Sequence, residues 1–466
     1  MEPEDLPTDT ATPREGAPAP FQLDPHFLAS VVAACGDRDK LILRRLLRPL
    51  HPADLADVLE QLPGDALRQV VKLVGPEFSP EFLAELDADA RERVLLLLPP
   101  AFLAKALGEL DTDDAALVAS GMGAERLQEV LKAAPEDVRS AIVSGLSFDE
   151  ETAGRLMQRE FVAAPEFWTV GQAIDHMRAA GEDLPDNFFE IYIVDPLFRP
   201  IGVVGLSTLL RSPRVTPLVS IMIPPAFLAR PEMDQEEVAF AFQQYHLASA
   251  PVVDEAGRLS GMMTVDDIVT IIREEGAEDL LRLSGVTEAP IAGTVARAVR
   301  SRIPWLMVNL ATALTASSVI AAFGASIEKL VALAVLMPIV ASLGGNAGTQ
   351  ALAVSVRAIA SRDLSSLNTW RFVGREALTG LCNGFLVALL FSLATLVWFR
   401  SPGLAVAVGV AVLANLTCAG LVGALVPLGL QRLGADPAVA SSVFVTWVTD
   451  LFGFLSFLGL ATLILF

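Results

Sequence analysis

One carboxylate stands inside the most apolar stretch of this chain. Asp450 lies near the middle of "SSVFVTWVTDLFGFLSFLGL", a run long and apolar enough to predict a membrane span. A carboxylate at that depth costs about 2.5–3.5 kcal/mol on insertion scales, and such groups usually face an aqueous path or a partner. No Lys or Arg lies at similar depth in the other apolar runs. Ser442, Thr446 and Asp450 follow at i, i+4 and i+8, so one helix face carries two hydroxyls and the carboxylate. A water-lined cation path presents such a stripe. The alternative is a protonated Asp packed inside a bundle, or one hydrogen-bonded to Ser and Thr. Intramembrane ionisable groups are functional by default, which favours the path.

A second polar set lies in "MPIVASLGGNAGTQALAVSVR". Asn346, Thr349 and Gln350 bring amides and a hydroxyl to mid-depth. Pro338, Gly344, Gly345 and Gly348 are residues that break or thin a helix, and carbonyls exposed there would steady the water shell of an ion. Equally, the glycines would serve close helix packing. The sequence leaves these two readings balanced. A third set is acidic and polar in context: Asp111, Asp113 and Asp114, then Asp234, Glu236, Glu237, Asp266, Asp267, Glu274, Glu275, Glu278 and Asp279. Hard divalent ions take oxygen ligands, and Mg²⁺ commonly keeps its waters and one or two carboxylates. For any one of these residues a solvated acid at a helix start is the simpler reading. Glu275, Glu278 and Asp279 differ, because they sit on the element that leads into the membrane. The four histidines and three cysteines are scattered at no ligand spacing. No nucleophile elbow, phosphate loop or zinc-type helix pair is present, so nothing points to an enzyme.

The elements that must position these groups divide the chain sharply. Of its 466 residues 53% are hydrophobic, and the net charge is −21. Residues 301–466 hold only five acids and eight bases, which leaves 50 acids and 26 bases, a net of −24, in the first 300. A soluble acidic half is therefore joined to a membrane half. That charge excludes nucleic acid as a partner. Spans are predicted at 303–323, 330–356, 377–399, 404–430 and 437–465. With the soluble half in the cytosol, Arg302, Arg357, Arg362, Arg371, Arg375 and Arg432 fall inside, and only Lys329 and Arg400 outside, as the positive-inside rule requires. In the soluble half, residues 1–24 are Pro-rich and acidic and predict a disordered tail. Residues 25–150 repeat a cap, a short amphipathic helix and a stop, which predicts a superhelical all-α domain. Residues 151–215 and 216–273 each read as helix, strand, turn, strand, helix, with turns at Asp195-Pro196 and Asp254–Gly257. Residues 274–300 predict a connecting helix, acidic at its start and basic at its end. The fold class is thus multidomain: an all-α N-terminal domain, a tandem α/β pair, and a five-helix membrane bundle.

At this point the motifs are specific. "PWLMVNLATALTASSVIAAF", "GGNAGTQALAVSVRAIASRDL" and "GADPAVASSVFVTWVTDLFGFLSF" resemble the MgtE family of Mg²⁺ channels and transporters. "EETAGRLMQREFV" resembles that family's lead into a CBS pair, and "DQEEVAFAFQQYHLASAPVVDEAGRLSGMMTVDDIV" its second CBS domain. The resemblance runs over nearly everything after residue 25. It implies a homodimer in the cytoplasmic membrane, with cytosolic N and CBS domains and one pore at the dimer axis lined by the second and fifth spans. Asp450 matches the pore acid, Ser442 and Thr446 fall at pore-lining positions, and Asn346 joins them from the second span. Mg²⁺ is then both cargo and regulator, bridging the soluble domains and the connecting helix to close the pore. Asp113, Asp234, Glu236, Asp267, Glu275, Glu278 and Asp279 fall at the family's regulatory acidic positions. ATP is a further ligand for the CBS pair, although the first copy lacks an Asp in its closing "GLSTLLRS".

Leu117, His246 and Thr270 stand where close relatives carry further acids, which predicts a weaker or less cooperative sensor. Two other functions compete. One is a carrier of Co²⁺ or Mn²⁺, disfavoured because the last span offers no Cys, Met or His. The other is a membrane-anchored CBS sensor without transport, in which the polar stripe is packing alone.

Overall fold

The computed structural model of the protein describes residues 23–181, 184–185, 188–283, 295–365, 367–437 and 441–466. The expected disordered tail lies almost wholly outside them. The chain forms two compact units, Met1–Arg273 and Glu274–Phe466.

In the first unit, short helices run from α1 (Pro25–Gly36) to α10 (Glu136–Gly145). Their brevity is written in their starts. Asp24, Asp39 and Asp87 accept hydrogen bonds from the first free backbone N–H groups of their helices, and Pro occupies the first turn at Pro52 and Pro100, where its missing N–H costs nothing. One continuous core joins them, including Leu43, Leu59, Val70, Phe82, Leu95, Leu103 and Val118.

Two copies of the α/β unit follow. The first holds α11 (Ala153–Leu156), β1 (Ala163–Pro165), α12 (Val170–Ala180), β2 (Glu190–Val194), β3 (Pro200–Gly205) and α13 (Leu206–Arg211). The second holds α14 (Gln235–Tyr245), β4 (Ser249–Val253), β5 (Leu259–Thr264) and the start of α15 (Val265–Leu283). β2 and β3 pair antiparallel with Tyr192 opposite Val203, and β4 and β5 pair the same way with Pro251 opposite Met262. A parallel partner flanks each pair: β1 beside β2, and Ala229 bridging Val252. Both predicted turns are present. Asp195 N–H donates to Arg199 O, and Asp254 N–H to Arg258 O. Tyr192 and Val203 of one copy share a core with Leu259 and Met262 of the other, and Tyr192 Oη lies 2.6 Å from Ser249 Oγ.

In the second unit, the described residues contain five helices long and apolar enough to cross a membrane. They are α16 (Val295–Ala322), α18 (Ala332–Ala360), α19 (Thr369–Phe399), α20 (Pro402–Arg432) and α21 (Ser441–Leu465); the short α17 (Gly324–Lys329) joins the first two. α20 is the most buried of the five. Three details depart from expectation. The 274–300 connecting helix is not a separate element: its first part continues the closing helix of the second α/β copy as α15, residues 284–294 lie outside the described set, and α16 starts at Val295. α19 begins eight residues before the predicted 377, because helical turns carrying Arg371 and Arg375 extend past the apolar segment that marks a span. Finally, α18 is unbroken through Pro338 and all three glycines, and two of them, Gly344 and Gly348, act in packing.

A Cβ on Gly344 would lie 2.2 Å from Asn415 Nδ2, one on Gly348 2.6 Å from Val445 Cγ1, and one on Gly423 2.7 Å from the Gly348 carbonyl. These contacts seat α18 tightly against α20 and α21. Small residues allow such approach where no hydrophobic drive between helices exists.

Candidate functional site

The membrane site is assembled from that close packing. On α21, Val445 is fully buried, while Ser442, Thr446 and Asp450 are half-buried. The Thr446 methyl lies 3.8 Å from where a Cβ of Gly345 would stand, so the polar face of α21 borders the glycine seam of α18. Asn346, next in that seam, is exposed. Asp450 is the tenth residue of a 25-residue helix, about 13 Å along it at helical rise. Its carboxylate makes no hydrogen bond or ion pair with any described residue. A dry contact with a basic neighbour, which would make the group structural, is not what stands there.

One residue of this assembly escaped the sequence reading. Asn415 of α20 is fully buried; its Nδ2 donates to Val340 O at 3.0 Å, and its Oδ1 has no partner among the described residues. Gly344 of α18 and Gly453 of α21 are both shaped around it, since a Cβ on Gly453 would come within 2.8 Å of Nδ2. Asn415 thus clamps the two helices that carry the polar face. Its signal was a lone amide in an otherwise apolar span.

The soluble unit brings together part of the predicted acidic set. Asp113 and Asp114 lie in the first turn of α8 (Thr112–Ser120), and Asp267 in the first turn of α15. Burial, then the charges of Asp267 and Asp114, push the Asp113 carboxyl well above the usual carboxylate range. Burial and then Asp267 and Asp111 push Asp114 up to about 7, with Arg91 opposing. Asp267 is raised by burial and by Asp266, although Thr264 Oγ1 donates to it at 2.5 Å. Asp113 Oδ1 is a buried acceptor without a partner among the described residues. The α8 terminus is capped by a residue the sequence did not suggest: Glu160 accepts from the Thr112 hydroxyl at 2.6 Å and from its N–H at 3.2 Å. Asp234 and Glu236 lie at the start of α14. Asp234 caps α14, accepting from Glu236 N–H at 2.8 Å.

The membrane unit holds its own acidic group on the continuation of α15. Burial, then Asp436 and Glu275, raise the Asp279 carboxyl. Arg282 answers them: Nη1 stands 2.5 Å from Asp436 Oδ2, and the same guanidinium pairs with Glu278. Leu283 packs against the small core that Leu352 and Val356 of α18 form with Val445 of α21, so this end of α15 meets the core between the two helices that carry the polar face. Among the described residues, no three His, Cys, Asp or Glu side chains converge as a closed metal cage. The charge still suits a hard cation, because mutual repulsion and an orphaned oxygen are what such an ion relieves, and Mg²⁺ needs only one or two carboxylates when it keeps its waters.

Comparison with known proteins agrees with this layout. The divalent cation transporter family MgtE matches residues 337–460, the MgtE intracellular N domain residues 50–151, and the CBS domain residues 218–274. The chain is 34% identical over 454 residues to the magnesium transporter MgtE of Thermus thermophilus, covering 95% of this chain and 99% of that one. It is 33% identical over 318 residues to the protein of the same name from Enterococcus faecalis, covering 68% of this chain and 70% of that one. A crystal structure of the cytosolic domain of the Mg²⁺ channel MgtE in complex with ATP is 32% identical, with a TM-score of 0.49, covering 52% of this chain and 99% of that one. With an unpartnered carboxylate on its last membrane helix, an acidic soluble half, and likeness over 95% of its length to the Thermus relative, the chain belongs to the MgtE family of divalent cation transporters.

Proposed function

We propose that the protein passes Mg²⁺ across the cytoplasmic membrane, a reading supported by relatives named as magnesium transporters, and that its cytosolic half regulates the flow. The observation that carries this reading is Asp450, half-buried at mid-helix, without a protein partner among the described residues, on one face with Thr446 and Ser442. A full charge held in the bilayer without a counter-ion is costly; a passing cation supplies the missing countercharge. Two copies facing across a dimer axis would present two such carboxylates, enough to hold a Mg²⁺ that keeps most of its water. The hydroxyls of Ser442 and Thr446 and the amide of Asn346 suit that water shell.

Regulation rests on Asp113, Asp267, Glu275, Glu278 and Asp279, with Asp234 and Glu236 as flanking acids. A divalent ion at the acidic set of each unit, Asp113 with Asp267 in the first and Glu275, Glu278 and Asp279 in the second, would supply the positive charge that repulsion within that set calls for. Glu278 already pairs with Arg282, Asp234 is engaged as a helix cap and Asp267 accepts from Thr264, so Asp113, with a buried oxygen left without a partner among the described residues, and Asp279 hold the larger share. An inside-negative potential favours inward movement by about 2.3 kcal/mol per charge per 100 mV.

The test is growth of a host that lacks Mg²⁺ uptake. The native chain is expected to restore growth without added Mg²⁺, and Asp450→Ala to fail while reaching the membrane in equal amount. Equal rescue by both would reject the pore and favour a sensor without transport.

A further inference from the structure

Where α18 ends and α19 begins, the membrane unit forms a cleft of about 730 Å³ lined by Arg357, Asp363, Asn368, Arg371, Phe372 and Arg375 among others. None of the proposed ion-carrying or regulatory residues lines it. Its charge is lopsided. Three guanidiniums face one carboxylate, and neither Arg357 nor Arg371 makes an ion pair with a described residue. Arg375 is two-thirds exposed, reaches the buried Glu376 only at 3.4 Å, and lies with its guanidinium 5.3 Å from the centre of the Phe372 ring. The floor is rigid. Asn368 Nδ2 donates to Asp363 O at 2.8 Å, and Asn368 Oδ1 accepts from Ser365 N–H at 2.7 Å. Residues next to the lining in sequence are apolar and exposed: Leu367 is 89% exposed, Trp370 66% and Leu378 59%, and Leu381 and Phe385 farther along α19 are exposed too.

A cation-lined cleft beside a tryptophan at the level of a span's end, opening onto an apolar helix face, fits an amphipathic anion. Guanidinium groups hold phosphate by paired, charge-assisted hydrogen bonds. Trp belongs at the interface between water and hydrocarbon, and basic clefts between spans on the cytoplasmic side receive anionic headgroups. We propose that this cleft binds the phosphate of an anionic phospholipid, with Arg357, Arg371 and Arg375 on the headgroup and the acyl chains along Leu378, Leu381 and Phe385. The proposal rests on the membrane-spanning reading of α18 and α19, not on which ion the protein carries.

Trp370 offers the readout. The full-length protein is reconstituted in phosphatidylcholine vesicles holding a minority of either brominated phosphatidylglycerol or brominated phosphatidylcholine. The Trp370 signal is the difference between the native chain and Trp370→Phe. The anionic lipid is expected to quench it at several-fold lower mole fraction than the neutral lipid. Arg371→Gln and Arg375→Gln are each expected to reduce that preference about fivefold, the weight of one basic residue near an anionic surface, while Arg371→Lys keeps most of it. If a glutamine variant fails to accumulate, the comparison of native chain with Arg371→Lys against Arg357→Gln decides. Equal quenching by the two lipids overturns the proposal. So does preference that survives loss of the arginines, and so does displacement of the quencher by millimolar inorganic phosphate, which assigns the cleft to a free anion.

Discussion

At the residue scale, the proposed function rests on carboxylates that lack a basic partner among the described residues. Asp450 is one, in the membrane. Asp113, Asp114 and Asp267 are others, in the soluble unit, where burial and mutual repulsion raise all three. The sign of the consequence follows from proton linkage. A carboxyl whose folded value lies above its unfolded value of about 3.9 binds more protons folded than unfolded, so its contribution to stability is present at low pH and lost as pH rises through the folded value. Without divalent ions, protection of the α8 and early α15 amides from hydrogen exchange is therefore expected to fall as pH rises from about 4 through about 7, where Asp114 titrates. Added Mg²⁺ should restore it at pH 7 and release protons, measurable in weak buffer. Asp114→Asn should flatten the pH dependence. Protection that rises with pH would contradict the arrangement.

At the element scale, function depends on how closely α18, α19, α20 and α21 approach. A Cβ on Gly420 would meet the Glu376 carbonyl at 2.5 Å, and one on Gly380 the Leu416 carbonyl at 2.5 Å. Backbone cannot move aside as a flexible side-chain end can. Gly420→Ala is expected to cost about 1–3 kcal/mol, the usual penalty of overpacking. Gly345→Ala, whose nearest neighbour is a methyl at 3.8 Å, should be close to neutral. Thermal unfolding in detergent separates the two, and equal losses would mean that the close crossing is unimportant. The docked end of α15 carries a second prediction. Arg282 is a tethered cation within an acidic group, so it competes with any divalent ion there. Arg282→Gln is expected to move Mg²⁺-dependent closure to lower Mg²⁺ in a flux assay. A shift to higher Mg²⁺ would instead make Arg282 a plain tether.

At the scale of the whole molecule, an acidic half of net −24 is coupled in one chain to a slightly basic membrane half. Under the proposed regulation by divalent ions, the response scales with how many acids must be neutralised. Leu117 lies one turn beyond Asp113 on α8, and Thr270 three residues beyond Asp267 on α15; both are exposed, as is the left-handed His246 that ends α14. With apolar or neutral groups at these places, flux is expected to decline gradually as cytosolic Mg²⁺ rises. The double substitution Leu117→Glu with Thr270→Glu should steepen the decline and lower its midpoint. A sharp shut-off at low millimolar Mg²⁺ in the native chain would count against a weakened sensor.

Much of this was legible in order along the chain. Hydropathy, the asymmetry of arginines, helix caps and the paired turns specify five spans, a helical N-terminal domain and a duplicated α/β unit, because each depends on residues near one another in sequence. The intramembrane carboxylate and its hydroxyl stripe were legible for the same reason, since helical periodicity alone aligns them. What required the tertiary structure were properties of facing surfaces. Only there did Gly344 and Gly348 of α18 prove to be packing sites along an unbroken helix, because a glycine's role depends on what a Cβ would strike. Asn415 between Gly344 and Gly453, Glu160 on the end of α8, and Arg282 on Asp436 join residues 38 to 154 positions apart. Local pattern cannot reach across such separations, and burial, which turns an acid into a raised and repelling one, is decided only when the chain has folded.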